Sequence, residues 1–364
     1  MKYIYQQKTW PKFSWNSEEL QFLLGNVRAL QGRLSGKLEA LGFPLKDEAI
    51  LSTLSMDILK SNEIEGELLS DTQVRSSVAR RLGMNVAGMV PSTRSIDGVV
   101  DMMVDATQNC NKPLTKERLF KWHRYLFSNS KVDASLRIGK WRNDKNGPMV
   151  VLSGAIGRER IHFQAPAASV LEIEMRVFLK WFNDAKQLDP VLKAGVAHLW
   201  FVTLHPFDDG NGRIARAIAD MCLSRGDAQH QRYYSMSAQI MQERKVYYQT
   251  LENTQKGNLD ITDWLQWFIA CIDRALSASD DLLSSVLLKA DFWKKHQHTK
   301  LNDRQKKVLN KMLDDFEGNL NTSKWAKMNK CSADTALRDI QDLLDKKVFK
   351  KNEGGGRNTS YVLG

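Results

Sequence analysis

The sequence predicts an all-α protein that carries one small β-hairpin and ends in a separate module of three short helices and two strands. Apolar residues recur at helical spacing from residue 47 to 59 and from 194 to 222, the second stretch with one polar interruption. Two β-favouring stretches, 148–166 and 348–363, each contain glycines typical of a turn. We therefore expect an N-terminal helical region at residues 1–95, a helical core at 96–276, a helix and linker at 277–299, and the C-terminal module at 300–364.

The composition favours a globular protein without membrane spans. Of the 364 residues, 42% are hydrophobic, which is enough for sizeable cores, and 26% are charged, as is ordinary for soluble proteins. The chain has no apolar run long enough to cross a bilayer, and its first ten residues lack an apolar signal core. The cysteines are scattered without a CxxC pair, so we expect reduced core thiols and a cytoplasmic location; they are Cys110, Cys222, Cys271 and Cys331.

The first helical stretch leads into the run Ser61-Asn-Glu-Ile-Glu65-Gly66. Gly66 stands where helices commonly end in a left-handed residue, so we expect the helix to stop there. Glu63, Glu65 and Glu67 alternate along this segment. Taken alone, these carboxylates are explained by an acidic helix end in solvent, and a functional carboxylate is the alternative.

The stretch from Pro148 to Gly157 and the one from Arg158 to Pro166 predict the two strands of a hairpin. His162 in the second strand could be mistaken for a catalytic residue. We favour a hairpin side chain without a catalytic role.

The run from His205 to Arg216 lies between two apolar helical stretches and predicts a loop that enters the N-terminus of the second helix. Its glycines allow the backbone to approach an anion, and free N–H groups at a helix start bind phosphate. A carboxylate in the loop can bind Mg2+ together with substrate phosphates, and two arginines one turn apart can face the same anion. His205 at the start of the loop can accept a proton near neutral pH. The loop therefore predicts a phosphate site.

Residues 245–255 predict a helix on which Tyr247, Leu251 and Gln255 share one face at four-residue spacing. A plain core position is a serious alternative for Tyr247.

The run from His205 to Arg216 resembles the signature loop of the Fic family, His-x-Phe-x-(Asp/Glu)-Gly-Asn-Gly-Arg-x-x-Arg, at every defined position. The resemblance covers roughly residues 95–275 and, more weakly, the N-terminal helices. Most Fic proteins transfer AMP from ATP to a hydroxyl of a target protein and release pyrophosphate. The resemblance implies that His205 is the general base for a Ser, Thr or Tyr hydroxyl, that Phe207 anchors the loop, and that Asp209 binds Mg2+. It implies that the ATP phosphates are bound by Gly210, Asn211, Gly212, Arg213 and Arg216.

The run from Ser61 to Gly66 resembles the Fic inhibitory pattern, (Ser/Thr)-x-x-x-Glu-(Gly/Asn). The resemblance implies that Glu65 reaches into the ATP site and pairs with Arg216, which displaces the γ-phosphate. Some Fic proteins inhibited in this way also remove AMP from the target, and such proteins often form dimers. A homodimer and de-AMPylation are therefore open here.

The hairpin resembles the Fic flap, which lays a target segment beside the phosphates by strand addition. Its contacts around the ATP site would come mostly from the backbone of Arg160, Ile161, His162 and Phe163. The resemblance places the adenine on the face of Tyr247 and Gln255, although the family often has Asn at the second position. The run from Gly139 to Arg142 resembles a family segment with a structural role.

The C-terminal module resembles a winged helix-turn-helix. Helices are marked by Val308 to Leu313, by residues 322–328 and by a third helix capped by Ser332. Residues 291–364 contain sixteen Lys or Arg and ten Asp or Glu, and this basic surplus fits a surface that faces phosphates. Four aspartates on the third helix would repel a DNA duplex; they are Asp334, Asp339, Asp342 and Asp345.

The leading hypothesis is a Mg2+-dependent protein adenylyltransferase inhibited by Glu65. The alternative is a nucleotide-sensing, DNA-binding transcription regulator, for which the charge on the exposed face of helix 332–345 is the discriminating feature. A Doc-type kinase ranks lower, because Asn211-Gly212 matches the transferase loop.

Overall fold

The computed structural model describes residues 3–39, 43–84, 89–128, 136–154, 158–184, 187–226, 232–313, 316, 318–352 and 359–364. The chain divides into two compact units, Met1–Ser279 and Asp280–Gly364. The described residues are mostly helical, with two small two-stranded sheets, so the predicted all-α class is confirmed. No helix in these ranges has the length and apolar character of a membrane span.

The N-terminal part of the first unit is helical, and the end of its second long helix lies at the candidate site. A short 3-10 helix, Ile4–Gln6, precedes α1 (Ser17–Glu39), α2 (Phe43–Ile64), α3 (Asp71–Arg81), α4 (Arg94–Gln108) and α5 (Lys116–Leu126). Helix α2 ends at Ile64, and Gly66, with a φ of +86°, is the left-handed residue that stops it, as predicted. The N–H of Glu67 donates to the carbonyl of Asn62, which turns the chain back at this point.

The rest of the first unit packs around a helix that is buried on nearly all sides. After the 3-10 turn Ala168–Val170 come α6 (Leu171–Asp184), α7 (Pro190–Leu204), α8 (Asn211–Gly226), α9 (Met236–Gln242), α10 (Arg244–Gln255) and the first part of α11 (Thr262–Lys295), up to Ser279. Helix α7 is mostly apolar and is buried around its whole circumference, which is typical of a core helix. At Gly195 a side chain would meet Leu265 at 2.8 Å, so glycine allows α11 to approach α7.

The predicted hairpin is confirmed as β1 (Val150–Ser153) and β2 (Arg160–Gln164), which pair antiparallel. Val151 pairs with Phe163 and Leu152 with Ile161, so His162 is the extra residue of a bulge. Residues 155–157, which join the two strands, lie outside the described residues.

A buried ion cluster joins α2 to α8 through Arg232, which lies between α8 and α9. Arg232 lies 2.7 Å from Asp57 on α2 and 2.8 Å from Asp220 on α8, and all three side chains are at most 3% exposed. Ser235 and the N–H of Ser237 also donate to Asp57. Burial raises the pKa of Asp57, although the Arg232 charge and these hydrogen bonds act in the opposite sense.

We expect Asp57→Ala to lower the free energy of unfolding by about 3 kcal/mol, because removing one partner of a buried ion pair leaves the other uncompensated. Urea denaturation followed by tryptophan fluorescence measures this change. Asp47→Ala, an exposed position on the same helix, is the matched control and should stay within about 0.5 kcal/mol of the wild type. Equal stability of the two variants would show that the cluster does not stabilise the fold.

The second unit contains the elements that the sequence predicts. They are α12 (Asp303–Leu313), α13 (Thr322–Asn329), α14 (Ala333–Asp345), β3 (Phe349–Lys351) and β4 (Tyr361–Leu363). The Ser332 hydroxyl caps α14 by accepting from the N–H of Thr335. The core of the second unit contains Trp325, Ile340 and Phe349. The two strands β3 and β4 pair antiparallel. The glycine turn at 354–356 lies outside the described residues, and the winged-helix assignment stays a prediction.

The exposed face of α14 is not basic. Asp339 is buried and accepts from Arg304, and Asp342 is paired with Lys346. Asp334, Arg338 and Asp345 are the charged residues left on the exposed face. Two of the four aspartates are thus neutralised, contrary to our expectation that all four would face a duplex. The face that remains is still not cationic, and it gives no support to DNA binding.

Candidate functional site

The signature loop, which we define as residues 205–216, joins α7 to α8 by way of two left-handed residues. His205 ends α7 at a φ of 49°, and Gly210 precedes α8 at a φ of 79°. A side chain at Gly210 would meet Leu126 at 3.1 Å and Phe127 at 3.2 Å, so this turn requires glycine. Helix α8 begins at Asn211, and its first N–H groups have no carbonyl partner within the helix. The loop therefore presents a helix N-terminus, as predicted.

The loop is braced by its own asparagine. Asn211 Oδ1 accepts from the N–H of Phe207 at 3.0 Å, and Asn211 Nδ2 donates to the carbonyl of Phe207 at 2.8 Å. Phe207 is fully buried, as expected for an anchor. Since both polar atoms of the Asn211 side chain bond to the backbone of Phe207, we expect its backbone N–H, rather than its side chain, to serve the predicted phosphate nest.

His123 supports the loop from α5, and sequence reasoning missed it. Its ring stacks on Phe207 at 4.2 Å with 12° between the planes. Nδ1 accepts from the N–H of Gly139 at 2.9 Å, so the proton is on Nε2, which donates to the carbonyl of Asp209 at 3.2 Å. Burial lowers the pKa of His123 to about 4, so the ring stays neutral in this role. A single histidine on a mixed helix carries no signal for such a contact.

His205 has the tautomer that a general base requires. Its Nδ1 lies 3.1 Å from the carbonyl of Val202, and because a carbonyl only accepts, Nδ1 carries the proton. Nε2 is left with a free lone pair. Loss of water around the half-buried ring lowers the pKa of His205 to about 4. Arg142 holds the backbone in place by donating from Nε to the carbonyl of His205 at 2.8 Å, which fits a structural role for the Gly139–Arg142 segment.

We expect the imidazole of His205 to be neutral, with the proton on Nδ1, from pH 8 down to about pH 5, because its pKa lies near 4. Nitrogen NMR of histidine-labelled protein, with His205→Ala to assign the signals, measures both the pKa and the tautomer. A pKa at the ordinary value of 6.5, or a proton on Nε2, would contradict the geometry.

A cavity of about 850 Å³ opens between the signature loop, the hairpin and α10. It brings together most of the predicted site residues: Glu65, Arg160, His162, Phe163, His205, Asp209, Gly210, Asn211, Gly212, Tyr247 and Gln255. Ile161 does not line the cavity and is 54% exposed. Arg213 and Arg216 are buried and contact residues at its wall. Arg244 and Tyr248 also line it and were not predicted.

The predicted ion pair between Glu65 and Arg216 is present. Arg216 Nη2 donates to Glu65 Oε1 at 2.7 Å. A side chain at Gly212 would lie 2.3 Å from the same oxygen, so the carboxylate rests on the first turn of α8. Burial alone would raise the pKa of Glu65, but the charge and hydrogen bond of Arg216, with the charges of Arg213 and Arg244, hold it below its ordinary value. Glu65 is therefore ionised, and its carboxylate lies at the helix N-terminus that was predicted to bind phosphate.

Ser61 also binds the Arg216 guanidinium, through two hydrogen bonds. Its hydroxyl accepts from Arg216 Nε, and its carbonyl accepts from Nη2, both at 2.8 Å. Three contacts from the end of α2 thus hold one guanidinium whose side chain is 2% exposed. Gly66 belongs to the predicted inhibitory pattern but makes no side-chain contact, and its part is to allow the turn after α2.

Arg213, the first arginine of the loop, has a carboxylate partner that the sequence did not assign. Arg213 Nη1 donates to Glu67 Oε2 at 2.7 Å. Its Nη2 lies 3.8 Å from Asp209 Oδ2, and the guanidinium is 5.4 Å from the ring centre of Phe127. Both arginines of the loop are therefore engaged by glutamates from the end of α2.

Asp209 can supply a Mg2+ ligand. Its side chain is 62% exposed, and Oδ1 accepts from the N–H of Gly210 at 2.6 Å. Among the described residues, no group of three His, Cys, Asp or Glu side chains gathers as a metal site. Mg2+ in nucleotide sites commonly needs only one or two carboxylates in addition to substrate phosphates and water, so a single exposed aspartate fits.

The face of α10 that was predicted to hold adenine is partly used by the core. The Tyr247 hydroxyl lies 2.9 Å from His198 Nε2, and Gln255 Nε2 donates to Thr203 Oγ1 at 3.3 Å. Both side chains are at most 3% exposed, yet both reach the cavity wall. The core explanation of Tyr247 is therefore compatible with an adenine contact, which stays a prediction.

The hairpin is fastened to α10 by Glu252, another residue that sequence reasoning missed. Glu252 lies 3.0 Å from Arg160, 2.6 Å from His162 Nδ1 and 2.5 Å from Lys256. Burial would raise its pKa, but these hydrogen bonds outweigh that effect and lower it to about 2. Phe163 packs on the rings of Tyr3 and Tyr5. The side chains of Arg160, His162 and Phe163 thus position the hairpin.

Two family descriptions match the chain. Residues 113–223 match the Fic/DOC family, and residues 3–84 match a domain of unknown function, DUF4172. The chain is similar to curated proteins named protein adenylyltransferase Fic. The one from Nematostella vectensis is 24% identical over 66% of this chain and 52% of that protein. The one from Aedes aegypti is 26% identical over 60% of this chain and 40% of that protein. The chain thus matches about half or less of the length of these relatives.

Two crystal structures share the fold at low identity. A Fic family protein from Desulfovibrio desulfuricans G20 is 18% identical, with a TM-score of 0.53 over 100% of this chain and 98% of that one. A Fic domain containing signaling protein from Bacteroides thetaiotaomicron is 20% identical, with a TM-score of 0.51 over 71% of this chain and 97% of that one.

Proposed function

Because the chain contains a Fic/DOC domain at residues 113–223, we propose that it is a Mg2+-dependent protein adenylyltransferase that is inhibited by its own Glu65. The observation that carries this proposal is the Glu65 carboxylate on the first turn of α8, paired with Arg216, at the cavity that His205 also lines. The name of the curated relatives, protein adenylyltransferase Fic, supports the same reaction.

The phosphates of ATP would bind at the N-terminus of α8. The free N–H groups from Asn211 to Arg213 donate to phosphate oxygens, and the helix dipole favours negative charge there. Arg213 and Arg216 offer charged donors. Mg2+ held by Asp209 would neutralise charge on the phosphates.

The transfer step uses the free lone pair of His205. Nε2 accepts the proton of a Ser, Thr or Tyr hydroxyl, and the hydroxyl oxygen forms a bond to the α-phosphorus. The bond between the α-phosphorus and the oxygen that bridges to the β-phosphate breaks, and pyrophosphate leaves. The neutral state of His205 near pH 7 makes it competent as a base before each step.

The hairpin would hold the target segment. Its first strand and the preceding Met149 line the cavity, and backbone pairing to an added strand would place a hydroxyl near His205. Leu152 is 48% exposed and Ile161 54% exposed, so apolar side chains of a target have partners there.

Inhibition follows from competition between anions. The carboxylate of Glu65 and a phosphate of ATP require the same guanidinium and the same space above Gly212. While Glu65 is in place, ATP binds weakly or in a pose that does not react.

Transfer from ATP labelled at either the α- or the γ-phosphate tests the reaction type. We expect Glu65→Gly protein, incubated with Mg2+ and cell lysate, to place the α-label but not the γ-label on protein. Transfer of the γ-label would move the assignment to a kinase. Loss of AMP from prelabelled protein with wild type but not with Glu65→Gly would add de-AMPylation.

A further inference from the structure

We propose that Glu67 is a second inhibitory carboxylate, which competes with nucleotide phosphates for Arg213 as Glu65 competes for Arg216. The inference rests on the proposed function, because it assumes that nucleotide phosphates bind at the start of α8. It assigns a role to a residue outside the Ser61–Gly66 pattern.

The turn after α2 places two carboxylates on two arginines. Gly66 reverses the chain, and the N–H of Glu67 donates to the carbonyl of Asn62. Glu65 and Glu67 then meet Arg216 and Arg213, each at 2.7 Å. Because the two arginines lie one turn apart on α8, the end of α2 pairs with both arginines of the signature loop.

While Glu67 is bound, the Nη1 group of Arg213 is taken up by protein acceptors and is not offered to a phosphate, whereas Nη2 and Nε make no hydrogen bond to the described residues. The Arg213 side chain is 3% exposed, and Nη1 also lies 3.5 Å from Asn62 Oδ1. Nη2 faces Asp209, the candidate Mg2+ ligand. A phosphate that approaches Asp209 therefore meets a guanidinium whose other amino group is already bound to a carboxylate.

Glu67 can leave without unfolding the site. Its side chain is 51% exposed, against 30% for Glu65, so it returns to water at little cost. Glu67 therefore weakens phosphate binding without blocking it, and its effect should be smaller than that of Glu65.

Isothermal titration with Mg2+ and α,β-methylene-ATP, whose α–β linkage is not cleaved, tests the proposal on the purified 364-residue chain. We expect Glu67→Gln to bind this analogue about threefold to tenfold more tightly than the wild type. Glu67→Ala should shift in the same direction. Adenosine, which has no phosphate, should bind both proteins equally. Glu63→Gln is the matched control, since Glu63 pairs with Lys60 and not with the signature loop, and its affinity should equal that of the wild type.

Whether Glu67→Gln binds the analogue more tightly or more weakly than the wild type distinguishes an inhibitory role of Glu67 from a positioning role. If Glu67 instead positions Arg213 for the nucleotide, Glu67→Gln binds the analogue more weakly, and the proposal is overturned. Unchanged affinity in Glu67→Gln, with tighter binding in Glu65→Gly, overturns the role of Glu67 and leaves the proposed function standing. If Glu65→Gly binds no analogue at millimolar concentration, both are overturned.

Discussion

Glu65→Gly is expected to transfer label from α-labelled ATP to protein about 10- to 100-fold faster than the wild type. The change removes a charge-assisted hydrogen bond, which contributes about 1.5–3 kcal/mol, and each 1.4 kcal/mol corresponds to a factor of ten. It also clears the space above Gly212, where the Glu65 oxygen now lies. Initial rates at fixed ATP, Mg2+ and lysate concentrations measure the effect.

Two further variants separate charge from shape at the end of α2. Glu65→Gln keeps the size of the side chain but loses its charge. We therefore expect its transfer rate to lie between the rates of the wild type and Glu65→Gly. Glu63→Gln alters a neighbouring carboxylate that pairs with Lys60 and should stay at the wild-type rate. Equal rates in Glu65→Gly and the wild type would remove the inhibition claim.

His205→Ala in the Glu65→Gly background is expected to lower the transfer rate by about 10²- to 10⁴-fold, the usual contribution of a positioned general base. Nucleotide affinity should change by less than about threefold, because the phosphates bind α8 and the arginines rather than the imidazole. Transfer rates and titration with α,β-methylene-ATP measure the two effects separately.

His162 provides the matched comparison, because among the described residues it is the histidine that lines the cavity together with His205. Its Nδ1 is bound to Glu252 on α10, so its role is to hold the hairpin. His162→Ala in the same background should raise KM for the protein target and leave kcat within severalfold. A loss of kcat in His162→Ala that exceeds the loss in His205→Ala would reverse the assignment of the base.

The local features of the fold could be predicted from the sequence, since each depends on short-range chemistry. The stop at Gly66, the cap at Ser332 and the hairpin at 148–166 follow from glycine conformation, hydroxyl capping and β-propensity. The charge of the α14 face could not be predicted, because Asp339 is neutralised by Arg304, which lies 35 positions away. The number of charged residues in a segment does not show which of them form ion pairs in the folded protein.

The same distinction holds in the site. The dense polar run from His205 to Arg216 marks the loop on its own, since its residue types converge on phosphate chemistry. The pairing of Glu67 with Arg213 joins residues 146 positions apart, and that of His162 with Glu252 joins residues 90 apart. These contacts depend on how α2 and the hairpin pack on the core. The orientation of Asn211 likewise depends on the shape of the folded loop.

Mass spectrometry of lysate proteins after incubation with Mg2+-ATP and the Glu65→Gly protein tests the central claim most directly. The account predicts adenylyl groups on Ser, Thr or Tyr side chains, few of them with the wild type and none with Glu65→Gly/His205→Ala. Phosphoryl groups in place of adenylyl groups, or the same adenylylated peptides with the double variant, would contradict it.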